Sequence, residues 1–283
     1  MKSFLCKVLI PSTGKYEYFR EIDFLTSKTI SKYIKNNDVI GFAKCIENIV
    51  KTNSIEQKSY HVLDLLSILC QLRSYCYGDS IKLEGRNEKG DPITYKHNIN
   101  RILNFSYLVK ECEDVYFYKK DLELCVGLPH NLLPDEDFDV ISRNIRCLKI
   151  GEDKINFPEL KSYEKERILQ NLDASFSGEI IKFTQKITKL FENTNFFEEI
   201  DIKDFKNIKL NPYNESIVQY LASIFNYDLM SIYELEYILI RRLRFSLSDL
   251  KNMTIIEAEL HLNLYKKELE TIENMQKKNG VEK

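Results

Sequence analysis

Cysteine and histidine are the side chains of this sequence best suited to nucleophilic or metal chemistry. The chain has 283 residues, with seven cysteines and four histidines. They are Cys6, Cys45, Cys70, Cys76, Cys112, Cys125 and Cys147, and His61, His97, His130 and His261. No two cysteines have the CxxC spacing of a zinc site, and no two histidines have HxxxH spacing. Because the number of cysteines is odd and we expect no secretory leader, the sequence predicts reduced thiols and no metal site.

A cysteine or serine nucleophile needs a basic partner within hydrogen-bonding distance. His61 precedes Cys70 by nine positions, which on one helix is about two and a half turns and too far for a hydrogen bond. Ser177 lies in SFSGE, which lacks the first glycine and the preceding strand of a nucleophile elbow. We therefore expect no nucleophilic catalysis from these residues.

Clustered carboxylates and glycine-containing loops are the other features that could do chemistry. The acidic run at residues 135–139 could bind a divalent cation, but it lacks the regular ligand positions and the glycine bend of a metal loop, so a solvated loop is favoured. Gly85 and Gly90 lie at a polar turn without the strand, loop and helix order of a phosphate site. The sequence predicts no catalytic residue, no cofactor and no small-molecule ligand.

The charged residues are balanced in number and spread along the chain. Lysine and arginine total 41, aspartate and glutamate total 43, and the formal charge is −2. This predicts no basic field of the kind that nucleic-acid binding requires. Arg241, Arg242 and Arg244 close a predicted helix, where a solvated helix end is the favoured interpretation and a nucleic-acid contact is the alternative. No segment approaches the ~20 apolar residues that a bilayer requires, so we expect a cytosolic protein without membrane contact.

The stretch that we expect to organise the fold is YHVLDLLSILCQLRSYCYG, from Tyr60 to Gly78. Its polar residues recur three and four positions apart, so a helix gathers them into a narrow stripe and leaves the rest of its surface apolar. This predicts a mostly buried helix with Gly78 as its C-cap. Arg73 lies on the apolar side and needs acceptors, which are either groups of this chain or groups of a second chain.

Alternating apolar and polar residues predict strands on both sides of this helix. An opening hairpin is expected at residues 4–22, a second in IKLEGRNEKGDPITYK, and further strands over residues 115–157. Helices are expected at residues 98–110, 159–172, 175–191 and 213–227, and after caps at Thr26, Asp38 and Ser231. The expected fold class is α+β, with helical bundle segments, β-hairpins, a small antiparallel sheet and a C-terminal helical region. We expect an α+β region over residues 1–158 and a mainly helical region over residues 159–283.

The last predicted helix has the clearest start signal, because Thr254 and Glu257 form a capping box. Its apolar residues alternate three and four positions apart, which is heptad spacing. They are Ile255, Ala258, Leu262, Tyr265, Leu269 and Ile272. Packing on the same domain is the favoured interpretation of this short seam, and a partner helix is the alternative. In the second case Leu262, Tyr265 and Leu269 are candidate interaction residues.

The string DLLSILCQLRSYCYGD, followed at once by a hairpin, resembles a leucine-rich helix of the baseplate hub and hub-assembly proteins of T-even-type contractile-tailed bacteriophages. The matching residues are Leu72, Arg73, Ser74, Tyr75, Tyr77 and Gly78. The stretch SIYELEYILIRRLRFSLSDLKNMTIIEAELHLNLYKKE is similar to the closing helices of phage tail-assembly proteins. Arg73 and Tyr75 fall within the matching string and are candidate interaction residues.

The resemblance implies a non-enzymatic protein that helps to build the baseplate hub, either staying in the particle or acting as an assembly factor. It implies other phage tail or baseplate proteins as partners, the tape measure among them, and no cofactor. The location it implies is the cytoplasm of an infected host cell or the tail baseplate of the virion. A cytosolic enzyme of unrecognised type is the first alternative, and it predicts a concave pocket with converging titratable groups. A nucleic-acid-binding module is the second.

Overall fold

The fold comes from a computed structural model that describes residues 4–87, 89–99, 106–133, 140–194 and 209–280. It is α+β, as the sequence predicted. The strands are β1 (Leu5–Ile10), β2 (Lys15–Arg20), β3 (Ser80–Arg86), β4 (Pro92–Asn98), β5 (Val115–Lys119), β6 (Leu122–Val126), β7 (Ile145–Ile150) and β8 (Asp153–Asn156). The helices are α1 (Phe24–Lys35), α2 (Val39–Asn53), α3 (Val62–Tyr77), α4 (Ser106–Glu111), α5 (Val140–Asn144), α6 (Ser162–Asn171), α7 (Ala174–Asn193), α8 (Ser216–Phe225), α9 (Leu229–Arg241), α10 (Leu247–Leu250) and α11 (Ile255–Gly280). The acidic run at residues 135–139 lies outside the described residues.

The strands of the described chain form antiparallel sheets. β1 pairs with β2, β3 pairs with β4, and β5 to β8 make a four-stranded sheet in chain order. Both predicted hairpins are confirmed, and so are the strands expected over residues 115–157. Gly14 ends the first turn with a φ of 65°, a left-handed conformation that glycine adopts without Cβ strain.

Helix α3 is almost entirely buried, which confirms the sequence prediction. The His61 side chain caps its start by accepting a hydrogen bond from the Asp64 N–H at 3.1 Å, and Gly78 ends it with a φ of 87°. Strand β1 and helices α2, α8 and α11 pack around it. Helix α3 therefore lies at the centre of the fold, as the sequence predicted.

The polar stripe of α3 faces the hairpin rather than open water. The Asp64 carboxylate accepts from the Ser12 N–H at 3.0 Å and from the Ser12 hydroxyl at 2.6 Å. Two helical turns further along, the side-chain amide of Gln71 bonds to the backbone of Leu9. The stripe thus supplies the partners that the outer edge of β1 would otherwise lack.

The buried apolar side chains form a large core and a smaller one. The large core joins the first hairpin, α2, α3 and α8 to the four-stranded sheet and α7. Because it contains both Phe157 and Phe176, the expected boundary between residues 158 and 159 does not separate two cores. The smaller core joins Phe24 of α1 to Ile232 of α9 and Ile255 of α11. The C-terminal helices therefore close over α1.

Two helices begin earlier than the sequence predicted. Asp23 rather than Thr26 caps α1, because its carboxylate accepts from the Thr26 N–H at 2.8 Å. Asp228 rather than Ser231 caps α9, and it accepts from the N–H and the hydroxyl of Ser231 at 2.9 and 2.7 Å. In both helices a charged carboxylate three positions before the expected cap is the stronger acceptor for the first-turn donors.

The helix expected from residue 98 is wrong at its start, because Asn98 ends β4 and α4 begins at Ser106, with residues 100–105 outside the described ranges. The other helix starts agree with the sequence or shift within a turn. The capping box of α11 is confirmed, since Thr254 N–H donates to Glu257 Oε2 at 2.7 Å and Glu257 N–H donates to Thr254 Oγ1 at 3.3 Å. Asp38 caps α2 as expected. The helix predicted from Tyr213 begins at Ser216, because Asn211 first makes a turn in which its Oδ1 accepts from the Tyr213 N–H.

Candidate functional site

Arg73 is buried within the chain, with 7 % of its surface exposed. Its Nε donates to the Ile224 carbonyl at 2.8 Å, and its Nη1 donates to the Gly78 carbonyl. The guanidinium also lies 5.4 Å from the centre of the Tyr77 ring. Ile224 belongs to the last turn of α8, where the carbonyls form the negative end of the helix dipole. Arg73 therefore finds its acceptors in the backbone of its own chain, and burial lowers its pKa.

Tyr75 lies at the surface beside the first hairpin. Half of its surface is exposed, and its hydroxyl donates to the Lys7 carbonyl at 3.0 Å. Alternate residues of the first hairpin point inward, and large apolar side chains are exposed on its other side. Together with Tyr75 we call these the hairpin face, which consists of Leu5, Leu9, Tyr16, Tyr18 and Tyr75. Exposed apolar side chains grouped in this way are typical of a binding surface.

The first half of the α11 seam packs on the chain itself. Ile255 and Ala258 are fully buried in the smaller core, and Leu262 packs against it. Tyr265 is half-buried one turn further on. Of the two alternatives considered for this seam, packing on the same domain therefore holds up to Tyr265.

The second half of the seam continues into solvent. Every side chain from residue 266 to residue 276 is exposed, and we call this segment the free end of α11. The seam residues Leu269 and Ile272 are 41 % and 44 % exposed there. The free end is eleven residues, which a helix extends over about 16 Å. Helix packing in the rest of the chain holds the start of α11 and leaves this apolar stripe uncovered.

A polar cleft of about 660 Å³ lies beside the start of α3. Its lining comes from the first hairpin turn, the start of α3, the segment before β5, and strands β5 to β8. The titratable residues that line it are His61, Asp64, Cys112, Glu113, Asp114, Tyr116, Cys125, His130, Arg146, Cys147 and Lys154. No local motif in the sequence indicates this cleft, because its residues come from separate segments of the chain.

Arg146 lies in this cleft with 9 % of its surface exposed. Its Nε is 3.6 Å from Asp114 Oδ1, which is an ion-pair distance but too long for a hydrogen bond. The buried Nε and Nη1 atoms have no hydrogen-bond partner among the described residues. A Cβ on Gly127 would lie 1.9 Å from Asp114 Oδ1 and 2.7 Å from Arg146 Nε, so glycine is what lets the two side chains meet there.

The two histidines of the cleft are neutral near pH 7. Burial, and then the charge of Arg146, lowers the pKa of His61 to about 3. The same causes lower the pKa of His130 to about 4. His61 Nδ1 accepts from a backbone N–H, so its proton is on Nε2, which lies 3.2 Å from Asp64 Oδ2. The Asp64 carboxylate is thus engaged by His61 and by Ser12, and burial raises its pKa.

The cysteines of the cleft are poor nucleophiles. Burial raises the pKa of the Cys125 thiol and of the Cys112 thiol to about 12 each. A reactive cysteine needs the opposite shift, because the thiolate is the attacking species. Cys125 and Cys147 face each other across β6 and β7, and all seven cysteines are free thiols. The arrangement favours recognition by polar groups over nucleophilic attack.

The remaining features considered in the sequence are the arginines at the end of α9, possible metal ligands and possible membrane spans. Arg241, Arg242 and Arg244 are exposed around the C-terminal end of α9. Among the described residues, no group of three or more histidine, cysteine or acidic side chains is placed to hold a metal ion. None of the helices in the described ranges combines the length and the apolar content that crossing a bilayer requires.

No protein-family model, curated protein or solved structure gives a significant match to this chain. The likeness to tail-hub proteins therefore depends on the residues quoted in the sequence analysis.

Proposed function

We propose that this protein is a non-enzymatic structural or assembly component of the baseplate hub of a contractile phage tail. It acts through contacts with other tail or baseplate proteins, the tape measure among them. It works in the cytoplasm of the infected host cell and either stays in the virion or leaves after assembly. The observation that carries the proposal is the free end of α11, whose heptad seam continues from the core into solvent.

The free end is suited to binding because its helix is already formed. Ile255 and Ala258 fix the start of α11 in the smaller core, so a partner does not have to order the helix when it binds. Leu269 and Ile272 are 41 % and 44 % exposed, so burial of that remaining area against a partner would contribute roughly 1 kcal/mol for each side chain. A partner helix with its own apolar stripe is the occupant that heptad spacing favours.

The hairpin face offers a second surface on a different part of the chain. Leu9 and Tyr16 are direct neighbours across the hairpin, and the Lys7 ammonium lies 4.5 Å from the centre of the Tyr16 ring. A protein with two separate apolar surfaces can hold two neighbours at once, which is the task of a hub or assembly component. Arg73 takes no direct part in these contacts, because it is buried.

Deletion of the gene from the genome of a phage that carries it tests the proposal. We expect tails without baseplates in negative-stain electron micrographs, with normal heads and restoration by the gene supplied in trans. Mass spectrometry of purified particles then separates a virion component from an assembly factor. Normal baseplates in the deletion strain would contradict the proposal.

The two alternative functions, an enzyme and a nucleic-acid-binding module, are tested separately. The polar cleft is a concave site with converging titratable groups, which is what an enzyme of unrecognised type predicts. Its neutral histidines and protonated thiols favour binding, however, and they do not supply an activated base or nucleophile. Nucleic-acid binding by the arginines at the end of α9 would be recognised by an affinity that falls steeply with salt.

A further inference from the structure

We infer that the polar cleft binds a small molecule through a phosphate or carboxylate group held by the guanidinium of Arg146. This goes beyond the tail-assembly proposal and does not depend on it. It also departs from the sequence analysis, which predicted no small-molecule ligand. Arg146 is a buried cation, and two of its three donor nitrogens, Nε and Nη1, make no hydrogen bond to the described chain.

The donors of Arg146 are the first observation. The guanidinium is about nine-tenths buried, and its Nε and Nη1 have no hydrogen-bond partner in the described part of the chain. Buried polar atoms without a partner are unusual in folded proteins, and a buried cation is more demanding than a neutral group. An oxyanion is the partner that the planar donor fork of arginine fits.

The state of the neighbouring groups is the second observation. The Asp64 carboxylate accepts hydrogen bonds from Ser12 and faces His61, so its charge attracts Arg146 without a hydrogen bond between the two side chains. Asp114 is 44 % exposed in its side chain and lies beyond hydrogen-bonding distance, so it neutralises Arg146 only in part. Both histidines are neutral. The cleft therefore has one strong, incompletely paired donor group, and the ligand that complements it is rich in acceptors.

The size of the cleft indicates a molecule rather than a bare ion. About 660 Å³ lies within the range of roughly 300–1,000 Å³ that small-molecule sites occupy. Lys154 on β8 lines the same cleft and is exposed, so it adds a second positive charge at the rim. Asp64, Glu113 and Asp114 oppose an anion there, and Asp114 is the group that an arriving oxyanion would displace from Arg146.

Titration calorimetry of the full chain tests the inference, with inorganic phosphate and citrate as the probes and chloride at equal ionic strength as the reference. We expect saturable binding of at least one probe with a Kd of about 1 mM or tighter. The tighter probe identifies the phosphate or the carboxylate chemistry. If neither probe binds more than chloride does, the inference is overturned.

Two variants assign the binding to Arg146. Asp114→Asn removes the competing carboxylate and should tighten binding about fivefold. Arg146→Lys keeps the charge but loses the donor fork, and it should weaken binding by at least about tenfold. Arg167→Lys, an exposed arginine of α6, is the matched control and should bind as the wild type does.

The result with Asp114→Asn decides the matter even if Arg146→Lys fails to fold. Asp114 is half-exposed, and the variant keeps its shape. An affinity equal to that of the wild type would contradict the role given to Arg146, as would binding that survives Arg146→Lys unchanged.

Discussion

The side-chain amide of Gln71 pairs with the backbone of Leu9 as a neighbouring strand would. Gln71 Oε1 accepts from the Leu9 N–H at 2.9 Å, and Gln71 Nε2 donates to the Leu9 carbonyl at 2.9 Å. Ser12 and Lys7, on either side of Leu9, bond to Asp64 and Tyr75 of the same helix. Helix α3 thus closes the free edge of β1 with side chains and fixes the position of the hairpin face.

Gln71→Glu should destabilise the protein by about 1 kcal/mol, because a carboxylate cannot donate to the exposed Leu9 carbonyl, which then bonds to water instead. Urea unfolding followed by circular dichroism at pH 7 measures the difference. Gln219→Glu on α8 makes the same change at an exposed position and should lie within about 0.5 kcal/mol of the wild type. Equal losses in the two variants would show that the amide pairing contributes little.

Arg73→Met should lower the free energy of unfolding by about 3 kcal/mol. The change removes the donors to the carbonyls of Ile224 and Gly78, and the first of these contacts is buried. Thermal and urea unfolding of the isolated chain give the measurement, with the exposed Arg241→Met as the control. A variant of normal stability that has lost only its binding partners would instead place Arg73 at an interface.

Acid should destabilise the fold through His61. Its pKa is about 3 in the fold against an ordinary 6.5, so between these pH values the unfolded chain holds the extra proton. The stability contributed by the neutral imidazole is present above pH 6.5 and is lost progressively as the pH falls toward 3. His61→Asn keeps a good N-cap and removes the titration.

Urea unfolding of both proteins at pH 7 and pH 4.5 measures this effect. Because of this proton linkage, the free energy of unfolding of the wild type should fall by on the order of 2 kcal/mol more than that of His61→Asn between the two pH values. Parallel losses in both proteins would mean that His61 is protonated in the fold at pH 4.5.

The sequence predicted those elements whose signals are local. The turn before Gly14 predicted the first hairpin, the polar stripe of the Tyr60–Gly78 stretch predicted a buried helix, and Thr254 with Glu257 predicted the start of α11. The caps expected at Thr26 and Ser231 are wrong, because serine, threonine and aspartate all cap helices, and the local sequence does not decide between Asp23 and Thr26 or between Asp228 and Ser231.

The polar cleft could not be predicted, because contacts across the fold create it. Arg146 and His61 are 85 positions apart, and nothing local to either residue indicates the other. The one local signal was Arg146 itself, a charged residue between apolar residues in the strand IRCLKI. A cation in a buried strand position needs an acceptor from elsewhere, which is the argument that the sequence analysis applied to Arg73 and not to Arg146.

The free end of α11 is best tested by a double substitution in the phage gene, Leu269→Asp with Ile272→Asp. Both side chains are exposed, so the purified variant should melt within about 2 °C of the wild type. Lys267→Glu, on the opposite side of the same helix, is the matched control. The measurement is the fraction of tails with baseplates in electron micrographs of phage that carry each gene. We predict that the double variant abolishes baseplates and the control does not; normal baseplates with the double variant would contradict the account.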